Sequence, residues 1–404
     1  MKEAVLASFT LDLDSARKRL TGFEEPDWFS ILWWLDISGM AIYFYHRACE
    51  IGGDRLLPRE VEAGLAQRLS NNRARTKALL DEARALAAWF QRGNVPYSLL
   101  KGVPLTPHSV QESALRAQTG LDFLIADRFA DLATHYVQRL GYRLHAQSAN
   151  TLEFRAGAKA VPDLGNIYSV NTQRGLELHL AKDGSGECQL LSRRVMCEFG
   201  GHRFYALSSA DSLVEQARHL VKHLCCEHVR LSWVLEFWRH LGSRRGDTEF
   251  WHRAKSCAAE LAHGEEAVAM AIWLAENFFG GTRAEIPPQW RTDALPVRVR
   301  LWLEHYARTL LLGDTMGNKL CALLRKELLG SAQNHRITRQ RLLPRFSPEK
   351  ILDAQPNESH SQMWARYGAE ARFIIQRLWS HFREGIRFAV EASRWNRTVA
   401  RIGR

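Results

Sequence analysis

The chain has 404 residues, of which 46% are hydrophobic and 25% are charged, which is typical of a globular protein with two or three packed subdomains. Its 55 basic and 44 acidic residues leave a net charge of +11, which favours polyanionic partners but also fits a merely basic exterior. No apolar run is long enough to span a membrane, and the N-terminus lacks a signal-peptide pattern. Seven cysteines without a CxxC pair argue against a disulfide framework. We therefore expect a cytoplasmic protein with no membrane partner.

Residues 1–94 are predicted to form an N-terminal helical subdomain. Apolar residues recur at helical spacing over Trp28–Leu35, where Asp27 can cap the helix. A second long helix is predicted over Asn72–Arg92, and Gly93 ends it.

Residues 95–210 change to a pattern of short strands, which predicts a sheet. An amphipathic helix, Arg128–Leu140, interrupts the strands. This order predicts an α+β fold, in which a mixed sheet carries helices on one face. Six strand candidates are separated by Gly, Asn and Pro: Pro96–Leu100, Leu121–Ile125, Tyr142–His145, Thr151–Phe154, Ile167–Val170 and Leu176–Leu180.

The helical period returns over residues 211–346, which are predicted to form a second helical subdomain, and residues 347–404 are predicted to contain a linker and basic C-terminal helices. Ser347–Ser361 is the linker candidate, and the Lys- and Arg-rich stretch Leu324–Arg345 is interpreted as a solvated helix face rather than an RNA contact. The last arginines are interpreted as a frayed basic tail. Helices are predicted at Leu231–Leu241, Met316–Leu329 and Ser361–Phe388.

Thirteen tryptophans are an unusually large number for this length. Seven of them lie on amphipathic segments, so packing in the core or between subdomains is the expected role, with stacking on a substrate ring as the less favoured one. These seven are Trp233, Trp238, Trp251, Trp302, Trp364, Trp379 and Trp395.

Two acidic residues on predicted strands are the main candidates for chemistry. Asp122 begins the strand LDFLI, and Glu177 has the same place in LELHL. Alternation along a strand places such a carboxylate on one face of the sheet, and two of them on adjacent strands suit Mg²⁺. A single strand acid is more often an ordinary solvated residue. Lys101-Gly102 follows the first strand, where backbone N–H groups and a cation can receive phosphate; the alternative is an ordinary turn.

The order of these pieces resembles the uncharacterised nucleotidyltransferase family of bacteria, which is related to the polymerase-β-like superfamily. The runs VPYSLLKGVPL, LRAQTGLDFLIADRFADLATHYVQRLGYRL and LELHLAKD carry the resemblance, which covers about residues 28–241. The positions that match the family pattern are Lys101, Gly102, Arg116, Asp122, Gly141, Tyr142, Glu177 and His179.

The resemblance implies a nucleotidyltransferase palm flanked by the two helical regions. It implies that Asp122 and Glu177 are catalytic and bind Mg²⁺ or Mn²⁺, with His179 beside them. A nucleoside triphosphate, with ATP as the expected one, would be bound by Lys101, Gly102, Arg116 and the helix cation Lys222.

One position departs from the family pattern. The family has Asp-x-Asp on the second strand, and Gly120 stands where the first acid is expected. Losing one metal ligand can cost orders of magnitude in rate without disturbing the fold. Two hypotheses therefore stay open: an active enzyme that transfers a nucleotidyl group to a small molecule or peptide, or a degenerate palm that binds a nucleotide, RNA or a peptide. An enzyme that tailors a natural product or a modified peptide is a third, weaker option.

A dense group of histidines and cysteines follows the predicted palm: His219, His223, Cys225, Cys226 and His228. The first two are four residues apart, which places two imidazoles on one helix face. Adjacent cysteines lie on different sides of a helix, so a zinc site is disfavoured. Half-buried packing is the preferred interpretation.

Overall fold

The computed structural model describes residues 1–52, 56–157, 167–169, 173–199, 201–226, 228–281, 286–287, 290, 295–314, 318–329 and 359–402. Within these ranges the helices are α1 Lys2–Ser8, α2 Leu13–Leu20, α3 Glu25–Ile37, α4 Ala41–Ile51, α5 Arg59–Arg92, α6 Ala130–Arg139, α7 Gly186–Ser192, α8 Ser209–Leu224, α9 Leu231–Ser243, α10 Thr248–Ala259, α11 Gly264–Phe279, α12 Val297–Trp302, α13 Arg308–Leu311, α14 Cys321–Leu329 and α15 His360–Ile402. A π-helical turn, Leu303–Ala307, joins α12 to α13.

Seven strands form one mixed sheet in the order β3-β4-β5-β2-β1-β7-β6. The strands are β1 Tyr97–Leu99, β2 Gly120–Ala126, β3 Arg143–Gln147, β4 Thr151–Ala156, β5 Arg174–Ala181, β6 Val195–Phe199 and β7 His202–Ala206. At the centre, β2 is parallel to β5 and antiparallel to β1. The predicted α+β class, with helical regions on both sides of the sheet in sequence, is confirmed.

Two apolar clusters lie on the two faces of the sheet. One face packs Phe123, Leu178 and their neighbours against the second half of α5 and against α6. The other face contributes Leu124 and Ala181 to a larger cluster that also contains α7, α8 and the N-terminal helices. The sheet is therefore covered on one face by α5 and α6, and on the other by α7 and the helices that pack with it. The proposed division into four segments stays a prediction; helices α1–α4 and α8–α14 share this larger cluster.

Helix α5 holds the central strand in place through buried polar side chains. Asn72 donates to the carbonyls of Ala114 and Arg116, and Arg75 donates to the carbonyls of Gln118 and Thr119. These bonds satisfy carbonyl groups of the irregular segment that leads into β2, which would otherwise be buried without partners. The position of the second strand is thus set by a helix that lies forty residues earlier.

Several predicted boundaries were wrong. Helix α5 begins at Arg59 rather than at Asn72, and α7, β6 and β7 were not predicted. Ile167 and Tyr168 form a single helical turn instead of a strand, and the buried Tyr168 hydroxyl donates to Asp36. Asp27 does take part in capping, but at the third position of α3, with Glu24 as the N-cap.

The C-terminal predictions were also partly wrong. Helix α15 runs to Ile402, so Arg394, Arg397 and Arg401 lie within a helix rather than in a frayed tail. Trp302 and Trp395 are buried as expected, whereas Trp364 and Trp379 are exposed. The linker candidate up to residue 358, most of the basic stretch 324–345, Met316, Val170 and Arg404 lie outside the described residues.

Replacing Phe90 with Ala should lower the free energy of unfolding by about 3–5 kcal/mol, because a buried aromatic side chain leaves a cavity. Phe90 is fully buried and its ring meets those of Tyr97, Phe123 and Tyr136. Urea denaturation measures the change. Phe29→Ala, on the exposed side of α3, is the control, and an equal loss in both variants would contradict this assignment of the core.

Candidate functional site

Asp122 and Glu177 lie side by side on the two central parallel strands. They are register partners in the β2–β5 ladder, so their side chains leave the same face of the sheet. On β2 the alternation is clear, because Leu121 and Phe123 are buried in the core on the other face. The structure therefore brings together the two carboxylates that the sequence singled out.

His179, two residues after Glu177 on the same strand, joins this pair. Its Nε2 atom lies 3.3 Å from Asp122 Oδ1 and 3.2 Å from Glu177 Oε2. One ligand atom from each of the three side chains lies within 4.8 Å of the others. Two carboxylates and one imidazole at this spacing fit a divalent cation, and a softer ion such as Mn²⁺ suits the nitrogen better than Mg²⁺ does. We call these three residues the carboxylate–histidine group.

Lys101, which follows β1, forms an ion pair with this group. Its Nζ atom lies 2.9 Å from Asp122 Oδ1. Burial disfavours ionisation of Asp122, but Lys101 and His179 outweigh it and hold the pKa of this carboxyl well below its usual range. Burial likewise disfavours the charged forms of Lys101 and His179, yet their acidic neighbours raise both pKa values. The carboxylate is therefore ionised and charge-compensated at neutral pH.

A third carboxylate, which the sequence analysis missed, continues the row. Glu153 on β4 is the register partner of Glu177 across the antiparallel β4–β5 ladder, so the two side chains share a face. Glu153 and both candidate carboxylates line one cleft of about 280 Å³. The alternation of Leu152, Glu153 and Phe154 on a predicted strand was the available signal. That alternation indicates a site residue only because β4 lies beside β5, which the local pattern does not show.

Two clefts meet at the Lys101–Asp122 pair. The first, which we call the carboxylate cleft, contains Asp122, Glu153 and Glu177, with the backbone of Gly120 and Gly175 in its wall. The second, which we call the lysine cleft, has a volume of about 330 Å³. It is lined by Leu100, Lys101, Leu124, His179, Glu187, Leu190, Glu215, Arg218, His219 and Lys222. Basic and acidic side chains thus line both clefts, since Arg155 and Arg174 also line the carboxylate cleft.

Gly120, where the family's acid is missing, lies against the backbone of β5. A Cβ atom at this position would stand 2.3 Å from the carbonyl oxygen of Gly175, which is closer than real Cβ contacts. Any side chain here requires β5 to shift. The close packing of β2 against β5 therefore leaves no room for an acidic side chain at position 120.

The other predicted binding residues are spread around the group. Gly102 has a φ of +79°, and a Cβ atom there would overlap the side chain of Gln118, so the turn after Lys101 requires glycine. Lys222 lies on α8 and lines the lysine cleft. The Arg116 side chain is 13% exposed, and its Nε atom lies 3.0 Å from Glu236 Oε2 on α9. Its assignment to nucleotide binding, like those of Lys101, Gly102 and Lys222, stays a prediction.

The histidine-rich segment packs as an aromatic cluster. The rings of His219 and His223 lie 4.4 Å apart, and each lies within 5 Å of the Trp233 ring. Burial lowers the pKa of His219 to about 2 and that of His223 to about 4. In the described part of the chain, the three side chains whose ligand atoms lie close enough together to hold one metal ion are Asp122, Glu177 and His179. This favours a packing role for the histidine-rich segment over a zinc site.

Comparison with known proteins identifies the family to which this chain belongs. The model of a family described as uncharacterised nucleotidyltransferase matches residues 24–280, which is more than half of the chain, so the chain belongs to that family. Among solved structures, an antigenic nucleotidyltransferase-like protein from Paracoccidioides brasiliensis is 12% identical, with a TM-score of 0.29; the match covers 51% of this chain and 96% of that one. A search of curated proteins found no match.

No helix in the described ranges is long and apolar enough to cross a membrane.

Gly120→Ala should lower the free energy of unfolding by about 1–3 kcal/mol, because the added methyl group overpacks the strand pair. Gly175→Ala is the matched control on the neighbouring strand, since nothing lies within 4 Å of a Cβ atom there. That change should be neutral or slightly stabilising. Urea denaturation of both variants provides the comparison, and equal stabilities would refute the close approach.

Stability should fall as the pH drops from 7 to 4, because unfolded His223 gains a proton near pH 6.5 while the folded residue stays neutral to about pH 4. The folded pKa is lowered, so the unfolded state binds more protons in this window, and the loss from this residue is on the order of 2–3 kcal/mol. His223→Gln should reduce the slope of the unfolding free energy against pH without removing it, because burial also lowers the pKa values of His228 and His240. His252→Gln, at an exposed position of α10, is the control, and a slope in His223→Gln that is unchanged or steeper would exclude this explanation.

Proposed function

We propose that this family member transfers a nucleotidyl group from a nucleoside triphosphate, ATP being the first to test, to a nucleophile on a small molecule or peptide, with the help of Mg²⁺ or Mn²⁺. The observation that carries the proposal is the carboxylate–histidine group, with Lys101 on its most buried carboxylate. A bound divalent cation would supply the positive charge that a triphosphate needs while its α-phosphorus is attacked.

The charge arrangement supports a phosphate-binding role for Lys101. Its ammonium compensates the charge of the partly buried Asp122. If Asp122 held a cation, Lys101 could bind a phosphate oxygen instead of that carboxylate without leaving its position, because it already lines the lysine cleft. Arg218 and Lys222 line the same cleft, so the triphosphate is best accommodated there.

The acceptor is then best accommodated in the carboxylate cleft. Glu177 belongs to the carboxylate–histidine group and also lines this cleft, so it can take the proton from the attacking hydroxyl, carboxylic acid or amine. The new bond forms between the nucleophile and the α-phosphorus, and pyrophosphate leaves with the electrons of the broken bond. The roles of Glu177 and Lys101 thus fall on opposite sides of Asp122.

Glu153 is our candidate for the carboxylate that position 120 lacks. It stands across from Glu177 on the side away from Asp122, and a glutamate is long enough to reach a cation shared with its cross-strand partner. A carboxylate from β4 adds the negative charge without requiring a side chain at Gly120.

The second candidate is a palm that binds nucleotide without transferring it. Two features favour it: the missing acid at position 120, and the pKa of His179, which the hydrogen bonds to Asp122 and Glu177 raise although burial opposes them. A higher pKa disfavours the neutral imidazole, which is the form that binds a metal. In this reading the protein recognises a nucleotide, an RNA or a peptide and acts as a partner of another protein.

The main prediction concerns Asp122→Asn and Glu177→Gln. Each should weaken Mn²⁺ binding and lower pyrophosphate release by about a hundredfold or more, because each removes a negative charge from the metal-binding group. Mn²⁺ binding is measured by electron paramagnetic resonance. Turnover is measured as pyrophosphate formed from each of the four triphosphates, with mass spectrometry of a small-molecule extract to find the modified acceptor.

Asp183→Asn is the matched control, because this carboxylate lies just after β5 and its side chain is 88% exposed. Glu153→Gln should behave like Asp122→Asn if it supplies the third carboxylate. Unchanged Mn²⁺ binding and turnover in Glu153→Gln alone would exclude that role and leave the rest intact. Nucleotide binding that is independent of Mg²⁺, without pyrophosphate release, would favour the binding protein over the enzyme.

A further inference from the structure

Helix α15, residues His360–Ile402, has an exposed apolar stripe that the proposed nucleotidyl transfer does not use. Trp364 is 70% exposed, Ile375 and Trp379 are each 65% exposed, and Phe382 is 60% exposed. Tyr367, Leu378, Ile386 and Val390 are exposed as well. A stripe of eight large apolar side chains in water is unusual for a protein surface and marks an interaction site. The helix lies beyond residue 280, where the family match ends.

The stripe lies on one side of the helix, and the protein body lies on the other. Trp395 is buried, and its ring nitrogen donates to Glu327 on α14. Tyr306 donates to Glu391, and Phe388 packs against the larger apolar cluster. At 100° per residue these three α15 positions lie opposite the stripe. The helix is therefore anchored through its back, which leaves the stripe accessible.

The stripe repeats every eleven residues. Trp364, Ile375 and Ile386 form one line along the helix, Tyr367 and Leu378 form a second line, and Trp379 and Val390 form a third. Eleven residues make slightly more than three turns, so the stripe runs nearly parallel to the helix axis. A left-handed coiled coil would require a repeat of seven, which this stripe lacks. The period therefore excludes a left-handed coiled coil, and the charge beside the stripe separates a flat surface from a second helix packed in another way.

Arginines follow the same period beside the stripe. Arg372, Arg383 and Arg394 are also eleven residues apart, and the 100° rotation places them along one flank of the apolar stripe. The whole helix contains eight arginines and three glutamates. Arg383 and Arg394 each have a glutamate of the same helix within 4.0 Å, but arginines still outnumber glutamates along α15. A second copy of the helix would bring two positively charged surfaces together, whereas an anionic surface would attract this charge.

We infer that α15 binds the surface of an anionic lipid bilayer, with its axis in the plane of the membrane and its stripe among the acyl chains next to the headgroups. Exposed Trp, Tyr and Phe side chains suit this depth, because their rings are amphipathic or bulky and stay at the boundary between water and hydrocarbon. The arginine flank then meets lipid phosphates. The helix lies on the membrane and does not span it.

This inference is tested with the full-length protein and lipid vesicles. Vesicles of phosphatidylcholine with phosphatidylglycerol should sediment the protein and shift its tryptophan fluorescence to shorter wavelength, and vesicles of phosphatidylcholine alone should bind at least about tenfold more weakly, because several arginines contact the anionic headgroups. High salt should weaken binding to the anionic vesicles. Equal binding to both vesicle types, or no binding to either, would overturn the inference.

Two variants separate the stripe from the arginine flank. Trp379→Glu with Phe382→Glu should abolish sedimentation, and Arg372→Gln with Arg383→Gln should reduce affinity for anionic vesicles about tenfold. The matched control is Leu13→Glu with Phe29→Glu, which places the same charges at exposed apolar positions of α2 and α3 and should leave binding unchanged. Circular dichroism confirms that each variant is folded.

Three other results would contradict the lipid surface. Dimers of the unmodified chain that Trp379→Glu with Phe382→Glu converts to monomers would show that a second copy covers the stripe. Tight binding of an RNA oligonucleotide, lost in the arginine variant and without any vesicle binding, would identify a nucleic-acid surface. Equal loss of vesicle binding in the control variant would show that the stripe has no special role.

Discussion

The parallel pairing of β2 with β5 is the constraint on which the candidate site depends. It places Asp122 directly across from Glu177, and Asp122 is accommodated at this partly buried position because Lys101 and His179 compensate its charge. A carboxylate held away from water without such partners would be protonated or would destabilise the sheet. Lys101 and His179, which compensate the charge of Asp122, thus surround the same carboxylates that could hold a metal ion. Any ion that binds here would lie close to the positive charge of Lys101, whose Nζ atom is 2.9 Å from Asp122 Oδ1.

The pairing also explains why position 120 differs from the family pattern without harm to the fold. Gly120 and Gly175 are register partners at the start of the same two strands, where their backbones approach closely. The closeness that excludes a side chain at position 120 belongs to the same pair of strands that aligns the two carboxylates. In the proposed reaction another carboxylate would have to complete the site, and Glu153 lies on the adjoining strand.

The two clefts of the candidate site and the exposed apolar stripe of α15 lie in different parts of the chain. The clefts are built by the central strands together with α7 and α8, all within the region that matches the family. The exposed stripe of α15 lies outside that region. If α15 rests on a membrane, the helices α12–α14 connect the lipid surface to the rest of the body through the buried Trp395.

The sequence by itself determined the α+β class, the long helices and the strands that carry Asp122 and Glu177, because hydrophobic period, glycine and proline positions and strand alternation are local properties of the chain. It also showed Gly120 as a departure, since a motif can be checked residue by residue. Only the tertiary structure decided that β4 lies beside β5, which places Glu153 in the row. It also showed that Arg116 is paired with Glu236 and that Asn72 and Arg75 hold the entry to β2. These contacts join residues far apart in the chain, and no local pattern encodes them. The same holds for α15: the sequence indicated an amphipathic helix, but which apolar side chains would be buried depended on the body against which the helix packs.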